Sequence, residues 1–226
     1  MIKTFVKGIN FLAGKTLRKQ HVFMGSSLDY LQRNRSIDKN YFDYIRLSVL
    51  ELVSNEINRK KLAGNVAELG VYKGKFARYI NKYFPERLLY LFDTFEGFDD
   101  RDISREKTEN FSKGDQDFSD TSVMAVLNQM PFPAKCQPVK GFFPESAKGI
   151  EDTFVFVSLD ADLFEPIYSG LQFFYPRLVK GGYIFIHDFN NDEYKGSRKA
   201  VEQFCAEQNI GFVPLSDSGG SAIIAK

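Results

Sequence analysis

At 226 residues the chain has the length of one α/β domain with extra segments around its sheet, and is short for two independent cores. Its 30 basic and 29 acidic residues nearly cancel, which excludes the overall charge signature of a nucleic-acid-binding or membrane-surface protein. A hydrophobic fraction of 43%, with 23 Phe and no Trp, provides for a substantial core, yet no run is long enough to cross a bilayer and the N-terminus lacks a secretory pattern. A cytoplasmic location follows by elimination. Cys136 and Cys205 are too few and too far apart for a disulfide framework or a metal-ligand pair, and Cys205 falls in an apolar helical pattern that reads as core.

Residues 1–40 carry eight Lys or Arg against two Asp and read as a separate extension, either a lid or a solvated tail. From residue 41 the main domain begins. Ile45, Val49, Leu52, Val53 and Ile57 have helical spacing and predict a helix over 41–60 with those side chains inward. A strand at 66–69 follows Gly64, and Phe76, Ala77, Ile80 and Phe84 then mark a helix that Pro85 ends. After a strand at 88–92, residues 94–117 are polar and without periodicity, the pattern of a binding lid; 99–120 hold eight acids and four bases. A helix over 119–129 presents Val123, Val126 and Leu127, with Ser119 or Asp120 as its cap. Pro138 makes 136–140 an edge strand, and 154–159 reads as a buried one. Pro166 opens a helix with Ile167, Leu171, Phe174 and Leu178 on one side, after which Gly181 and Gly182 turn the chain into a strand at 183–187. A helix through 208 leads to FVPL at 212–215 and SAIIA at 221–225, an antiparallel hairpin closing an otherwise parallel sheet.

The chemistry gathers where strands end. In AELGVYKGKF a strand stops at Gly70 and a helix starts after Gly74, bringing backbone donors and a helix N-terminus to one place. Neither GxGxxG nor the complete glycine-rich loop GxxxxGK[ST] is present, which counts against dinucleotide and Walker-type phosphate binding. Glu68, just before the turn, suits a cationic or amino-acid-like ligand portion, or is a surface glutamate. Asp93 ends the next strand and either accepts ribose hydroxyls or caps the turn DTFEG. Asp160 and the pair His187 and Asp188 end two further strands, so their side chains meet on one rim with Asp162 nearby. That oxygen-rich set suits magnesium, and the imidazole leaves manganese or zinc open; equally, Asp162 caps a helix and His187 fills the rim.

The strings AELGVYKGKFARYI, LYLFDTFEGF, VKGFFPES, VSLDADLFEPIYSGLQFFYPRLVKGGYIFIHDF and GSRKAVEQF resemble the macrocin O-methyltransferase family, whose members methylate sugar hydroxyls with S-adenosylmethionine and magnesium. The resemblance runs from Tyr41 to Phe212. It implies the seven-stranded, Rossmann-like class I methyltransferase sheet with an N-terminal helical extension. It also implies cofactor contacts at Glu68, Gly70, Tyr72 and Gly74 for the methionine portion, and at Asp93, Thr94 and Phe95 around the ribose. Asp120, Ser122 and Phe142, with Phe143, would line the adenine, and Asp160 borders the same pocket. Mg2+ or Mn2+ would sit on Asp160, His187 and Asp188, which are also the implied catalytic residues. The family pattern has an aspartate pair followed by tyrosine where this chain has His187, Asp188 and Phe189, so one ligand is exchanged and a phenol is missing. The implied substrate is a sugar hydroxyl on a glycosylated metabolite or polysaccharide precursor, and the implied assembly a homodimer or larger. A catechol-type methyltransferase, a nicotinamide oxidoreductase and a non-catalytic binding module are the competing readings, with the altered His187 position the best support for the last.

Overall fold

The computed structural model describes residues 43–226; the 1–40 extension lies outside the described residues. Helix α1 (Tyr44–Arg59) precedes β1 (Asn65–Leu69), α2 (Ala77–Tyr83) and β2 (Leu89–Asp93). Next come α3 (Asp100–Thr108), the short α4 (Val123–Leu127), β3 (Cys136–Lys140), β4 (Phe154–Leu159), α5 (Phe164–Arg177) and β5 (Leu178–Ile186). Helix α6 (Lys195–Gln208) leads to β6 (Val213–Pro214) and β7 (Ala222–Ala225). The seven strands lie in the order β3-β2-β1-β4-β5-β7-β6. β3, β2, β1, β4 and β5 pair in parallel, and β7 runs antiparallel to both β5 and β6. This is the Rossmann-like class I methyltransferase sheet with its C-terminal hairpin.

A parallel sheet covered on both faces needs strands that are apolar throughout rather than alternating. FVFVSL in β4 comes close to this, being buried at all six positions with Ser158 its single polar residue. Helix α5 packs Ile167, Leu171 and Phe174 into the same core as Phe92, Phe143 and Phe154. Phe174 meets Phe92 and Phe154 edge-on, at 5.6 and 5.1 Å between ring centroids. Chain order reverses direction between β1 and β4, where Leu69 pairs with Leu159, and the crevice at such a point is where open α/β sheets bind ligands.

Three expectations need correction. Helix α1 turns inward Leu47, Leu50, Val53 and Ile57, while Ile45 and Leu52 are each 38% exposed. The helix carries apolar residues on two stripes, and the stripe that wins also holds Arg46. Gly181 and Gly182 do not precede β5 but sit inside it, at a bulge where the pairing with β4 shifts register. Ser122, not Ser119 or Asp120, caps α4, accepting from the Ala125 amide at 3.2 Å.

The polar stretch after β2 contains a helix, α3, because its acids have partners inside the protein. Buried Glu106 accepts from the Phe164 amide at 2.7 Å and the Ser112 hydroxyl at 2.6 Å. It therefore supplies from a distance the carboxylate cap that α5 lacks locally. Asp102 is buried beside it. Burial first, then the Asp99 and Glu165 charges, push its carboxyl up to about 7 against the pull of Arg101. The folded protein thus holds a proton that the unfolded chain loses near pH 4, so stability falls as pH rises from about 4 through 7. Asp102→Asn should remove that fall. Urea unfolding should show the variant matching the parent at pH 4.5 and exceeding it by roughly 1 to 3 kcal/mol at pH 8. An equal difference at both pH values would contradict the assignment.

Candidate active site

β1 delivers Glu68 and Gly70 to the crevice, and β4 delivers Asp160 directly beside them. The Asp160 amide donates to the Leu69 carbonyl at 2.8 Å, and a Cβ on Gly70 would lie 2.1 Å from the Asp160 carbonyl oxygen. With φ at +82° as well, only glycine lets the two strand ends pass so closely. The turn that follows is organised by Asp93. Its Oδ2 accepts from the Val71 and Tyr72 amides at 2.7 and 2.8 Å, and its Oδ1 from the Phe95 amide at 2.6 Å. A carboxylate has about four lone-pair sites, so three are committed to backbone and about one is left for a ligand. Thr94 closes the same turn through its hydroxyl to the Gly97 carbonyl at 2.6 Å, and Phe95 is buried.

The segment expected to line adenine stands against Tyr72. Asp120 accepts from the Tyr72 hydroxyl at 2.6 Å and from the Lys73 ammonium, while Phe118 meets the Tyr72 ring edge-on at 5.0 Å. Gly74 is held beneath Val126 and Met130, where a Cβ would come within 3.0 and 2.9 Å of their side chains. Arg101 from α3 covers the Phe142 ring at 3.5 Å. Phe143 is buried and stacks on Phe174 at 5.9 Å, so it belongs to the core.

Glu68 is 1% exposed, and neither of its carboxylate oxygens has a hydrogen-bond partner among the described residues. Burial and the Asp160 charge raise its pKa well above the ordinary range, outweighing Arg46 and the nearby Ser158 hydroxyl.

Asp160, His187 and Asp188 come together as the sequence implied, with potential ligand atoms all within 4.8 Å of one another. His187 Nδ1 lies 3.0 Å from Asp160 Oδ1 and 2.6 Å from Asp188 Oδ2. Burial is the largest single influence and opposes the charged imidazole, but the charge and hydrogen bonds of the two aspartates together prevail, raising its pKa to about 10. The Asp160 carboxyl is lowered despite its burial, because His187 and Arg46 flank it. Asp188 Oδ1 accepts from the Asn191 amide group at 2.8 Å. On the other side of the ring, Gly219 packs so closely that a Cβ there would fall 1.9 Å from His187 Nε2. Asp162 does not cap α5. Its carbonyl accepts from Ser197 at 2.7 Å, and burial with the Asp188 charge raises its carboxyl well above the ordinary range.

Two residues escaped the sequence reading. Arg46 sits 114 positions before Asp160 and donates to its Oδ2 from both Nη atoms, at 3.1 and 3.0 Å. Its signal was a charge on the same helical stripe as Leu50, Val53 and Ile57. Tyr194 is buried with its hydroxyl unpartnered among the described residues, and burial followed by the Asp162 and Asp188 charges raises its pKa. Nothing in its local sequence marks it. Phe189 is buried, packed against Phe212 at 4.9 Å and under Arg198 at 4.3 Å.

Among the described residues no helix is long and apolar enough to cross a membrane. The structure is similar to that of the O-methyltransferase NovP, at 18% identity over 81% of this chain and 80% of that one, with a TM-score of 0.65. It is similar to the calicheamicin methyltransferase CalS11, at 18% identity over 80% and 78% of the two chains, with a TM-score of 0.64. An apo structure of CalS11, described as a TDP-rhamnose 3'-O-methyltransferase, aligns at 18% identity over the same shares with a TM-score of 0.53. At such identity these likenesses speak to the fold. No curated protein matches the sequence. The family profile of Macrocin-O-methyltransferase (TylF) matches residues 12–218, nearly the whole chain. The chain therefore belongs to the macrocin O-methyltransferase family and is an S-adenosylmethionine-dependent O-methyltransferase.

Proposed function

We propose that this enzyme methylates a sugar hydroxyl on a glycosylated metabolite or polysaccharide precursor, with a divalent cation assisting at Asp160, His187 and Asp188. The observation that carries the reading is the meeting of those three side chains with Glu68 and the Gly70 turn at one strand-end crevice. The residues fit both absent groups. Glu68, buried with two unpartnered oxygens, suits the ammonium of the cofactor's methionine portion, with Gly70, Tyr72 and Gly74 around it. Asp93 has about one acceptor site left for the ribose, with Thr94 and Phe95 alongside and Asp120, Ser122 and Phe142 toward the adenine. The cluster offers two carboxylates and an imidazole within reach of one ion, a donor set suited to Mg2+ or Mn2+.

When bound, the cofactor supplies an electrophilic methyl on positively charged sulfur, and a divalent cation supplies charge that favours a deprotonated acceptor oxygen. The chain's part is alignment and proton holding. The rim side chains would orient the acceptor hydroxyl toward the methyl group that the cofactor supplies, whose bond to sulfur would break as the new oxygen–carbon bond forms. The hydroxyl proton would pass to a carboxylate oxygen of the cluster, on Asp160 or Asp188.

A methyl-transfer screen over free, nucleotide-linked and glycosylated sugars, with mass spectrometry locating the added methyl, tests the substrate class. The similarity to a protein described as acting on TDP-rhamnose puts deoxysugar nucleotides first in that screen. Transfer to catechols with no sugar acceptor would reject the sugar assignment. Excess chelator should slow transfer at least tenfold, with Mg2+ or Mn2+ restoring it; full activity in chelator would remove the cation from the reaction.

A further inference from the structure

We propose that Arg46 is a resident counter-cation of Asp160 and competes with the divalent cation for it, so that this arginine sets how tightly the enzyme holds its metal. The inference rests on the metal reading above. Both Nη atoms are aimed at a single oxygen, Asp160 Oδ2, and one also donates to the Ser158 hydroxyl at 3.3 Å. That leaves Asp160 Oδ1, which faces His187 Nδ1 at 3.0 Å, as the oxygen turned toward the other two ligands.

Arg46 is fixed rather than swinging. Its side chain is 4% exposed, and its guanidinium lies 3.8 Å from the centre of the Phe76 ring. Its own amide donates to Asp43 Oδ1 at 3.0 Å, while Asp43 Oδ2 accepts from the Ser218 amide at 2.9 Å, tying the first turn of α1 to the loop before β7. A guanidinium set in this way remains beside Asp160 whether or not an ion is present. One of the two carboxylates of the cluster, Asp160, therefore already carries a cation on its Oδ2. A divalent ion enters against the repulsion of this fixed positive charge in a partly desolvated place. An aspartate cluster without such a neighbour does not meet that repulsion.

The test is Mn2+ binding, followed by the paramagnetic resonance of the free ion, in the parent protein, Arg46→Met and Arg46→Lys. Met fills much of the same volume without charge and leaves Asp160 short of a cation, so Mn2+ affinity should rise at least tenfold. Lys keeps a charge but loses the paired contact, and its affinity should stay within about threefold of the parent. Mn2+ should also raise the thermal midpoint of Arg46→Met more than that of the parent, since binding to the folded form alone stabilises it. If Arg46→Met does not fold even with Mn2+, Arg46→Lys decides: affinity tighter by tenfold or more would show that contact geometry, not charge, sets the competition, and would overturn the proposal. Equal binding by the parent and Arg46→Met overturns it while leaving the metal reading intact. Binding by none of the three proteins at millimolar Mn2+ overturns both.

Discussion

Asp188→Asn should lower methyl transfer to the acceptor found in the screen by about 10²- to 10⁴-fold, while leaving the fold and S-adenosylmethionine affinity nearly unchanged. The substitution keeps the volume and one acceptor oxygen. Asparagine also tolerates the left-handed backbone at this position, where φ is +56°. What it removes is the carboxylate 2.6 Å from His187 Nδ1, and with it one of the three clustered side chains that could hold a cation. Calorimetry with S-adenosylmethionine and a turnover assay on the same preparation separate the two effects. Turnover within threefold of the parent, with unchanged cofactor binding, would show that the chemistry lies elsewhere.

Asp93→Ala should weaken S-adenosylmethionine binding by about 100-fold or more, the equivalent of roughly 3 kcal/mol. Three backbone amides lose their acceptor at once, those of Val71, Tyr72 and Phe95. Leaving a partly buried donor unsatisfied costs about 1 kcal/mol or more each, and the turn that faces the methionine portion loses its anchor. Any contact to the ribose goes as well. Asp93→Asn, which keeps one oxygen, should lose less than Asp93→Ala. The readout is the calorimetric affinity of folded variants, and an alanine variant binding as tightly as the parent would remove Asp93 from the cofactor site.

Much of this architecture is legible in the chain because parallel strands announce themselves. VFVSL and YIFI are runs apolar but for Ser158 that stop at Asp160 and at His187 with Asp188, and strand ends are where open α/β sheets bind ligands. Local signals of the kind that Pro138 gives for an edge strand survive folding for the same reason: a missing amide is tolerated there and not in the centre. What the sequence hides is long-range. Helix α1 offers two apolar stripes, and only contact with the sheet selects the one containing Arg46. The acids of α3 look like solvated loop until Glu106 is seen capping a helix that starts 58 residues later. Asp93 illustrates the remaining gap: its placement at a strand end was readable, but its grip on the glycine turn depends on a neighbouring strand's register.

Four side-chain-bearing residues at the strand-end crevice, Tyr72, Phe95, Asp162 and Asp188, adopt left-handed backbone conformations. Each such conformation costs about 1 kcal/mol or more, which the surrounding packing and hydrogen bonds must overcome. Directed evolution that screens this enzyme only for survival at high temperature therefore has a ready route through these positions. Asparagine or glycine relieves the backbone at 162 and 188 while discarding carboxylates at the crevice, so a heat-resistant library should fill with well-folded, poorly active proteins. Keeping turnover in the selection at every round, or holding these four codons fixed, is the practical form that the geometry of this crevice dictates.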